Sequence, residues 1–201
     1  MNLHDLASQG HVRIVLGRRG YAAEAPDRFD QPTDITFSRD GSIFVTDGYG
    51  NSRVVKYTSK GEFVAAWGHK DTGPGKFQLP HSIVIDDRDR LLITDRENYR
   101  IQVFDTNGKF LVEWDDVGSP WGLALYEDGG VWMADGHNNR VLKLTRDGKI
   151  AGMLGGAGKL PGQFNFAHHI AVAPDGALYV SEILNWRAQK FVPNREIHAT
   201  Q

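Results

Sequence analysis

Two histidines stand at matching positions of a repeated sequence, where they could hold a metal ion. The segments PTD, PHS, PWG and AHH open four similar units, so Thr33, His81, Trp121 and His168 share one position. Imidazoles that converge on one point can bind zinc, and a catalytic zinc takes three protein ligands and leaves a fourth position open. Two interpretations follow. The histidines form part of a zinc site, or they line a channel and bind water or backbone groups.

A second set of candidates follows an acidic residue in each unit, in the loops TDGYGNSR, TDRENYR, ADGHNNR and SEILNWR. The acidic residue, the Asn and the closing Arg recur, and we interpret them as a turn frame that caps backbone N–H groups. Residues that differ between the copies are better functional candidates, and Tyr49 and Arg96 are the two selected here. The alternative for each is an ordinary surface or packing role. His137 and His169 are further imidazoles without a spacing argument.

The elements that must position these residues repeat along the chain. The acidic residues Asp47, Asp95, Asp135 and Glu182 are separated by 48, 40 and 47 residues. Each unit contains short apolar runs, in the first copy DITFS, IFVTD, RVVKY and EFVAAWG, separated by Asp-Gly and other Gly turns. Four antiparallel strands per unit are typical of a propeller blade. The sequence therefore predicts an all-β propeller, a single domain over 1–201, with blades near 29–68, 77–115, 119–155 and 164–192.

The closure of the ring has two solutions. The fourth unit has apolar runs for three strands, and the N-terminal HVRIVLG, residues 11–17, matches the fourth-strand pattern. That segment is predicted to be a strand, and it could complete the last blade of a closed four-bladed ring. The other solution is a partial arc of a six-bladed ring, which we favour because histidines in alternate blades fit six blades. An arc leaves two apolar blade faces uncovered, which predicts self-association.

Composition limits the partners. The net charge of the 201 residues is −2, so a nucleic-acid partner or a polybasic membrane anchor is not expected. The chain has no Cys, which excludes disulfides and thiolate metal sites. Its N-terminus has no apolar run of the length of a signal peptide or a membrane-spanning helix.

The longer motifs resemble the NHL-repeat propellers and, among them, the peptidyl-α-hydroxyglycine α-amidating lyases, or peptidylamidoglycolate lyases. The resemblance extends from about residue 12 to residue 192, and the segments that carry it are QPTDITFSRDGSIFVTDGYGNSRVVKY, GPGKFQLPHSIVIDDRDRLLITDRENYRIQVF and QFNFAHHIAVAPDGALYVSE. It implies a six-bladed propeller with an axial zinc ion held by three histidines. It also implies cleavage of a peptidyl-α-hydroxyglycine to a peptide amide and glyoxylate, in an exported or extracytoplasmic setting.

The same resemblance assigns roles to individual residues. His81 and His168 match two of the zinc ligands, Tyr49 matches the tyrosine that takes the substrate hydroxyl proton, and Arg96 matches an active-site arginine. The family's remaining zinc histidine and a second arginine lie in blades upstream of HVRIVLG, which have no counterpart in this sequence. The acidic residue that the family associates with calcium corresponds here to His169, so calcium is not expected.

Two functions therefore compete. The first is a zinc-dependent, amidating-lyase-like enzyme that is complete only when further blades are supplied. The second is a non-catalytic NHL propeller that binds a peptide or another protein through its loop face, because a fold does not determine a function. Both place a peptide substrate or protein partner on the loop face.

Overall fold

The apolar runs between the turn signals form antiparallel strands in a computed structural model, which describes residues 12–193. The strands build four sheets that form the blades of a β-propeller, three with four strands and the last with three. Their bounds are β1 Asp34–Phe37, β2 Ile43–Asp47, β3 Arg53–Tyr57, β4 Phe63–Trp67, β5 Pro80–Ile85, β6 Arg90–Asp95, β7 Arg100–Asp105, β8 Phe110–Trp114, β9 Pro120–Leu125, β10 Val131–Asp135, β11 Arg140–Leu144, β12 Ile150–Leu154, β13 Ala167–Val172, β14 Leu178–Glu182 and β15 Arg187–Phe191. A single 3-10 turn, Arg96–Asn98, interrupts the described strands.

The hydrophobic core lies between neighbouring blades. Phe44 of the first blade packs with Phe77 and Phe104 of the second, and all three side chains are fully buried. Similar clusters join the second blade to the third and the third to the fourth. Because each middle blade is covered on both faces, β6 and β7 are buried along almost their whole length.

The recurrent acidic residues form the turn frame that the sequence predicts. Each carboxylate is almost fully buried and accepts hydrogen bonds from the Asn and the Arg of its own loop. The Arg Nε to carboxylate oxygen distances are 3.0 Å for Arg53–Asp47, 2.9 Å for Arg100–Asp95, 2.6 Å for Arg140–Asp135 and 2.7 Å for Arg187–Glu182. These residues therefore hold the loops that carry the candidate site.

The N-terminal segment departs from the prediction. Residues 12–17 form no strand and do not complete the fourth blade, while His11 lies outside the described residues. Leu16 packs with Phe29 against Val45 and Tyr57 of the first blade. Leu16 thus covers part of the first blade, and β15 has no fourth-strand partner within residues 12–193.

The outer faces of the terminal blades are partly uncovered. On β1, Ile35 and Phe37 are 48% and 57% exposed, and on β14 Tyr179 is 42% exposed. A closed four-bladed ring would bury these faces against each other, so the arrangement is that of an open arc. No helix in the described residues is long and apolar enough to cross a membrane.

Candidate functional site

A β-bulge lies at three of the four matching positions that open the blades. In β9, Pro120 and Gly122 pair with the consecutive residues Asp135 and Ala134, so Trp121 is the extra residue. His168 is the extra residue of β13 in the same way, and the register of β5 shifts between Pro80 and Ile83, around His81. A bulge bends its strand and redirects a side chain. The bulges therefore position these aromatic rings.

The three rings form a triangle. The ring centres are 5.2 Å apart for His81 and His168, 5.4 Å for His81 and Trp121, and 5.3 Å for Trp121 and His168. Tyr49, in the loop after β2, places its ring 5.7 Å from that of His81. The structure thus brings together three of the four site residues predicted from the sequence, around one point between the blades.

Hydrogen bonds fix the orientation of His81. Its Nδ1–H donates to the main-chain carbonyl oxygen of Trp121 at 2.8 Å, because a carbonyl oxygen can only accept. In the neutral ring Nε2 then carries the lone pair, and it accepts the hydroxyl proton of Tyr49 at 3.1 Å. The atom of His81 that faces Tyr49 is therefore the one able to bind a metal ion or a proton.

The surroundings favour the neutral form of both imidazoles of the pair. The pKa of His81 is lowered to about 4, mainly by burial; the hydrogen bond to Trp121 opposes this shift and the positive charge of Arg96 adds to it. Burial also lowers the pKa of His168, and His169 and Arg96 act in the same direction. Neutral imidazole is the form that binds metal ions.

Arg96, the fourth predicted residue, lies against Trp121. Its guanidinium carbon is 4.1 Å from the centre of an indole ring and 5.5 Å from the centre of the Tyr49 ring. The side chain of Arg96 is only 12% exposed, and its Nε donates to Glu97 Oε1 at 2.9 Å. Arg96 therefore provides a largely buried positive charge beside the histidine pair.

Several contacts around Trp121 do not follow from the sequence reasoning. The indole N–H donates to Ser119 Oγ at 3.2 Å, and that oxygen lies 2.9 Å from His137 Nδ1. The Phe166 ring packs on both Trp121 and His137. His137 therefore belongs to this outer cluster, whereas the exposed His169 lies beside the backbone of β9. The shared alignment position was the one signal that could have singled out Trp121.

The donor set fits zinc in part. Two imidazoles bound to one tetrahedral zinc at about 2.0–2.1 Å have ring centres about 5 Å apart, close to the 5.2 Å between His81 and His168. Within residues 12–193, however, no cluster of three or more His, Asp or Glu side chains is placed to hold a metal ion. The described residues therefore offer two of the three ligands that a catalytic zinc takes.

Comparisons with known proteins agree with the motifs. The NHL repeat family model matches residues 29–57 and 77–104. The chain is 31% identical over 200 residues to peptidyl-glycine alpha-amidating monooxygenase A of Xenopus laevis, covering 92% of this chain and 21% of that protein. It is 32% identical to NHL repeat-containing protein 3 of Homo sapiens, over 93% of this chain and 57% of that protein. It is 29% identical to a probable peptidyl-alpha-hydroxyglycine alpha-amidating lyase of Caenorhabditis elegans, over 86% of this chain and 52% of that protein. The chain thus spans between a fifth and about half of the length of these relatives.

Proposed function

We propose that this chain, an NHL-repeat β-propeller that resembles the peptidyl-α-hydroxyglycine α-amidating lyases, is part of an enzyme that cleaves the C–N bond of a peptidyl-α-hydroxyglycine with the help of zinc, and that further blades complete its site. The products would be a peptide amide and glyoxylate. The observation that carries the proposal is that His81, His168 and Tyr49 surround one point and that the guanidinium of Arg96 lies beside the Tyr49 ring. Relatives named as amidating enzymes support the reaction class.

The reaction requires one proton to move and no oxidant. The hydroxyl proton leaves, the C–O bond becomes a carbonyl, the C–N bond breaks, and the amide nitrogen gains a proton. Tyr49 is suited to this transfer, because the residue is half-exposed and its hydroxyl group lies 3.1 Å from His81 Nε2, the nitrogen that would bind the metal ion. With a metal ion on His81 Nε2 the hydrogen bond from Tyr49 to that nitrogen would be lost, and the nearby positive charge would favour the phenolate of Tyr49. As a phenolate, Tyr49 would accept the substrate's hydroxyl proton and return that proton to the leaving nitrogen.

Arg96 would pair with the carboxylate of the substrate, the group that becomes the carboxylate of glyoxylate. Within the described residues its side-chain hydrogen bond goes from Nε to Glu97, so the Nη atoms remain available for a ligand. A charge-assisted, bidentate pair between a guanidinium and a carboxylate is strong and directional. Burial strengthens it further, because little water competes.

His81 and His168 are the residues that would hold the metal ion, together with donors from outside the described side chains. Bound zinc would act as a Lewis acid that polarises the hydroxyl oxygen of the substrate. The neutral state of both imidazoles prepares them for this role without loss of a proton.

Metal analysis tests the proposal. The purified chain, equilibrated with zinc and dialysed, is expected to retain stoichiometric zinc. His81→Ala and His168→Ala should lose it, and the matched control His69→Ala, at an exposed histidine in the loop after β4, should keep it. A zinc content that does not depend on His81 or His168 would contradict the site.

Turnover gives the second test. With the further blades supplied, the protein should convert N-benzoyl-α-hydroxyglycine to benzamide and glyoxylate. Tyr49→Phe should lower the rate by about 10²- to 10⁴-fold, the usual contribution of a positioned acid–base group. A protein without zinc and without glyoxylate formation that still binds peptides on its loop face would establish the alternative, a non-catalytic NHL scaffold.

A further inference from the structure

Trp121 contacts three of the four residues of the proposed site, although it has no role in the proposed reaction. Its carbonyl oxygen accepts the Nδ1–H of His81, its ring lies 5.3 Å from that of His168, and the guanidinium of Arg96 is 4.1 Å from its ring centre. The side chain is buried, at 7% exposure. We infer that Trp121 is a positioning residue, whose indole holds the guanidinium of Arg96 beside the two imidazoles.

The contact with Arg96 is more than incidental packing. Arg96 is largely buried and has one carboxylate partner, Glu97, on its Nε side. A buried guanidinium without water needs compensating contacts, and the face of an indole is the best aromatic partner for a cation.

The surroundings of Trp121 keep the indole in place. Its N–H donates to Ser119 Oγ at 3.2 Å, and the ring of Phe166 packs edge-on at 4.7 Å. Gly136 lies so close that an added Cβ would be 2.5 Å from the indole Cδ1 atom. The repeated loop has Arg96 at this position in the second blade and Gly136 in the third. The glycine therefore makes room for the ring on which the arginine rests.

Two substitutions disturb the indole in different ways. Trp121→Leu removes the ring. Gly136→Ala leaves the ring present but displaces it, because the new methyl group would overlap with the indole. Trp121→Phe is the conservative variant, because it retains an aromatic face for Arg96. Trp186→Leu is the matched control, since Trp186 is 91% exposed and the chemical change is the same.

The first readout is the NMR resonance of the Arg96 Nε–H group, whose shift reports the ring current of a stacked indole. It should move toward the position of an unstacked arginine in Trp121→Leu and Gly136→Ala, move less in Trp121→Phe, and stay in Trp186→Leu. An Arg96 resonance that does not change in folded Trp121→Leu or Gly136→Ala would overturn the inference. This measurement needs neither zinc nor turnover.

The second readout rests on the proposed function. Loss of a cation–π contact should raise KM for N-benzoyl-α-hydroxyglycine by about 3- to 30-fold in Trp121→Leu, with kcat largely kept, because Arg96 binds the substrate carboxylate in the ground state. An unchanged KM in a variant whose Arg96 resonance has moved would also overturn the positioning role. If the wild-type protein has no turnover when the further blades are supplied, the proposed function fails, and the NMR result alone decides whether Trp121 orients Arg96.

Discussion

Replacement of the buried His81 should change how the stability of the fold depends on pH. In the folded protein burial lowers the pKa of His81 from 6.5 to about 4. In the unfolded chain the imidazole returns to its ordinary pKa, so as the pH falls below 6.5 the unfolded state takes up a proton that the folded state does not. The unfolded state is then favoured progressively, and stability falls with pH between about 6.5 and 4.

The size of the effect follows from the shift. A change from 6.5 to about 4 corresponds to about 3 kcal/mol of unfolding free energy, since one pKa unit is worth about 1.4 kcal/mol. This contribution is fully present above pH 6.5 and is lost when the pH reaches about 4. His81→Asn removes the titrating group while leaving an amide that can still donate to the carbonyl of Trp121.

Urea denaturation of the metal-free protein in EDTA, at intervals from pH 7.5 to pH 4, measures this difference. The wild-type chain should lose about 3 kcal/mol more than His81→Asn over this range. His69→Asn, at an exposed position, should follow the wild-type curve. Parallel curves for wild type and His81→Asn would refute the assignment of a buried, neutral imidazole at this position.

Two further predictions, one for the turn frame and one for the contact between β9 and β13, are measured by urea denaturation at neutral pH. Asp95→Ala should cost about 3 kcal/mol, the lower end for a broken buried pair, because Arg100 loses one carboxylate but keeps a second partner. Asp147→Ala, which breaks an exposed ion pair, should cost less than about 1 kcal/mol. Gly122→Ala should cost about 1–3 kcal/mol, because the new Cβ would lie 2.9 Å from a backbone atom of β13. The control Gly156→Ala has open space around it and should change stability by less than about 0.5 kcal/mol, and equal losses in the two glycine variants would contradict the inter-blade contact.

The sequence predicted the blades because their strands pair locally. Strands joined by short turns, with one apolar run per strand, need no information beyond the repeat itself, and the buried Asp95 frame repeats with them. The N-terminal segment was assigned wrongly because its alternation of apolar residues fits any uncovered sheet. The first blade, through Tyr57 and its neighbours, provides that surface in the structure.

The candidate site was only partly predictable. The alignment of the repeats selects His81 and His168. The β-bulges that redirect their side chains depend on strand register, and the residue types at these positions do not predict the register. The stacking of Arg96 on Trp121 joins residues from different blades, and the repeat pattern within one blade carries no information about it. Contacts between units therefore mark the limit of reasoning from a repeated sequence.

The two interpretations of the axial histidines, as metal ligands or as residues bound to the backbone, are compatible in this architecture. Thr33 donates from Oγ1 to the carbonyl oxygen of Pro80 at 2.7 Å, and His81 donates from Nδ1 to that of Trp121 at 2.8 Å, in each case reaching the first strand of the next blade. The side chain at the position shared by Thr33 and His81 thus links its blade to the next one, and a hydroxyl group is sufficient for this hydrogen bond. An imidazole makes this bond with one nitrogen, and the lone pair of the other faces the site, where it accepts a hydrogen bond from Tyr49 at 3.1 Å. Because the bond from Nδ1 fixes the tautomer, the link between blades itself prepares His81 to act as a ligand.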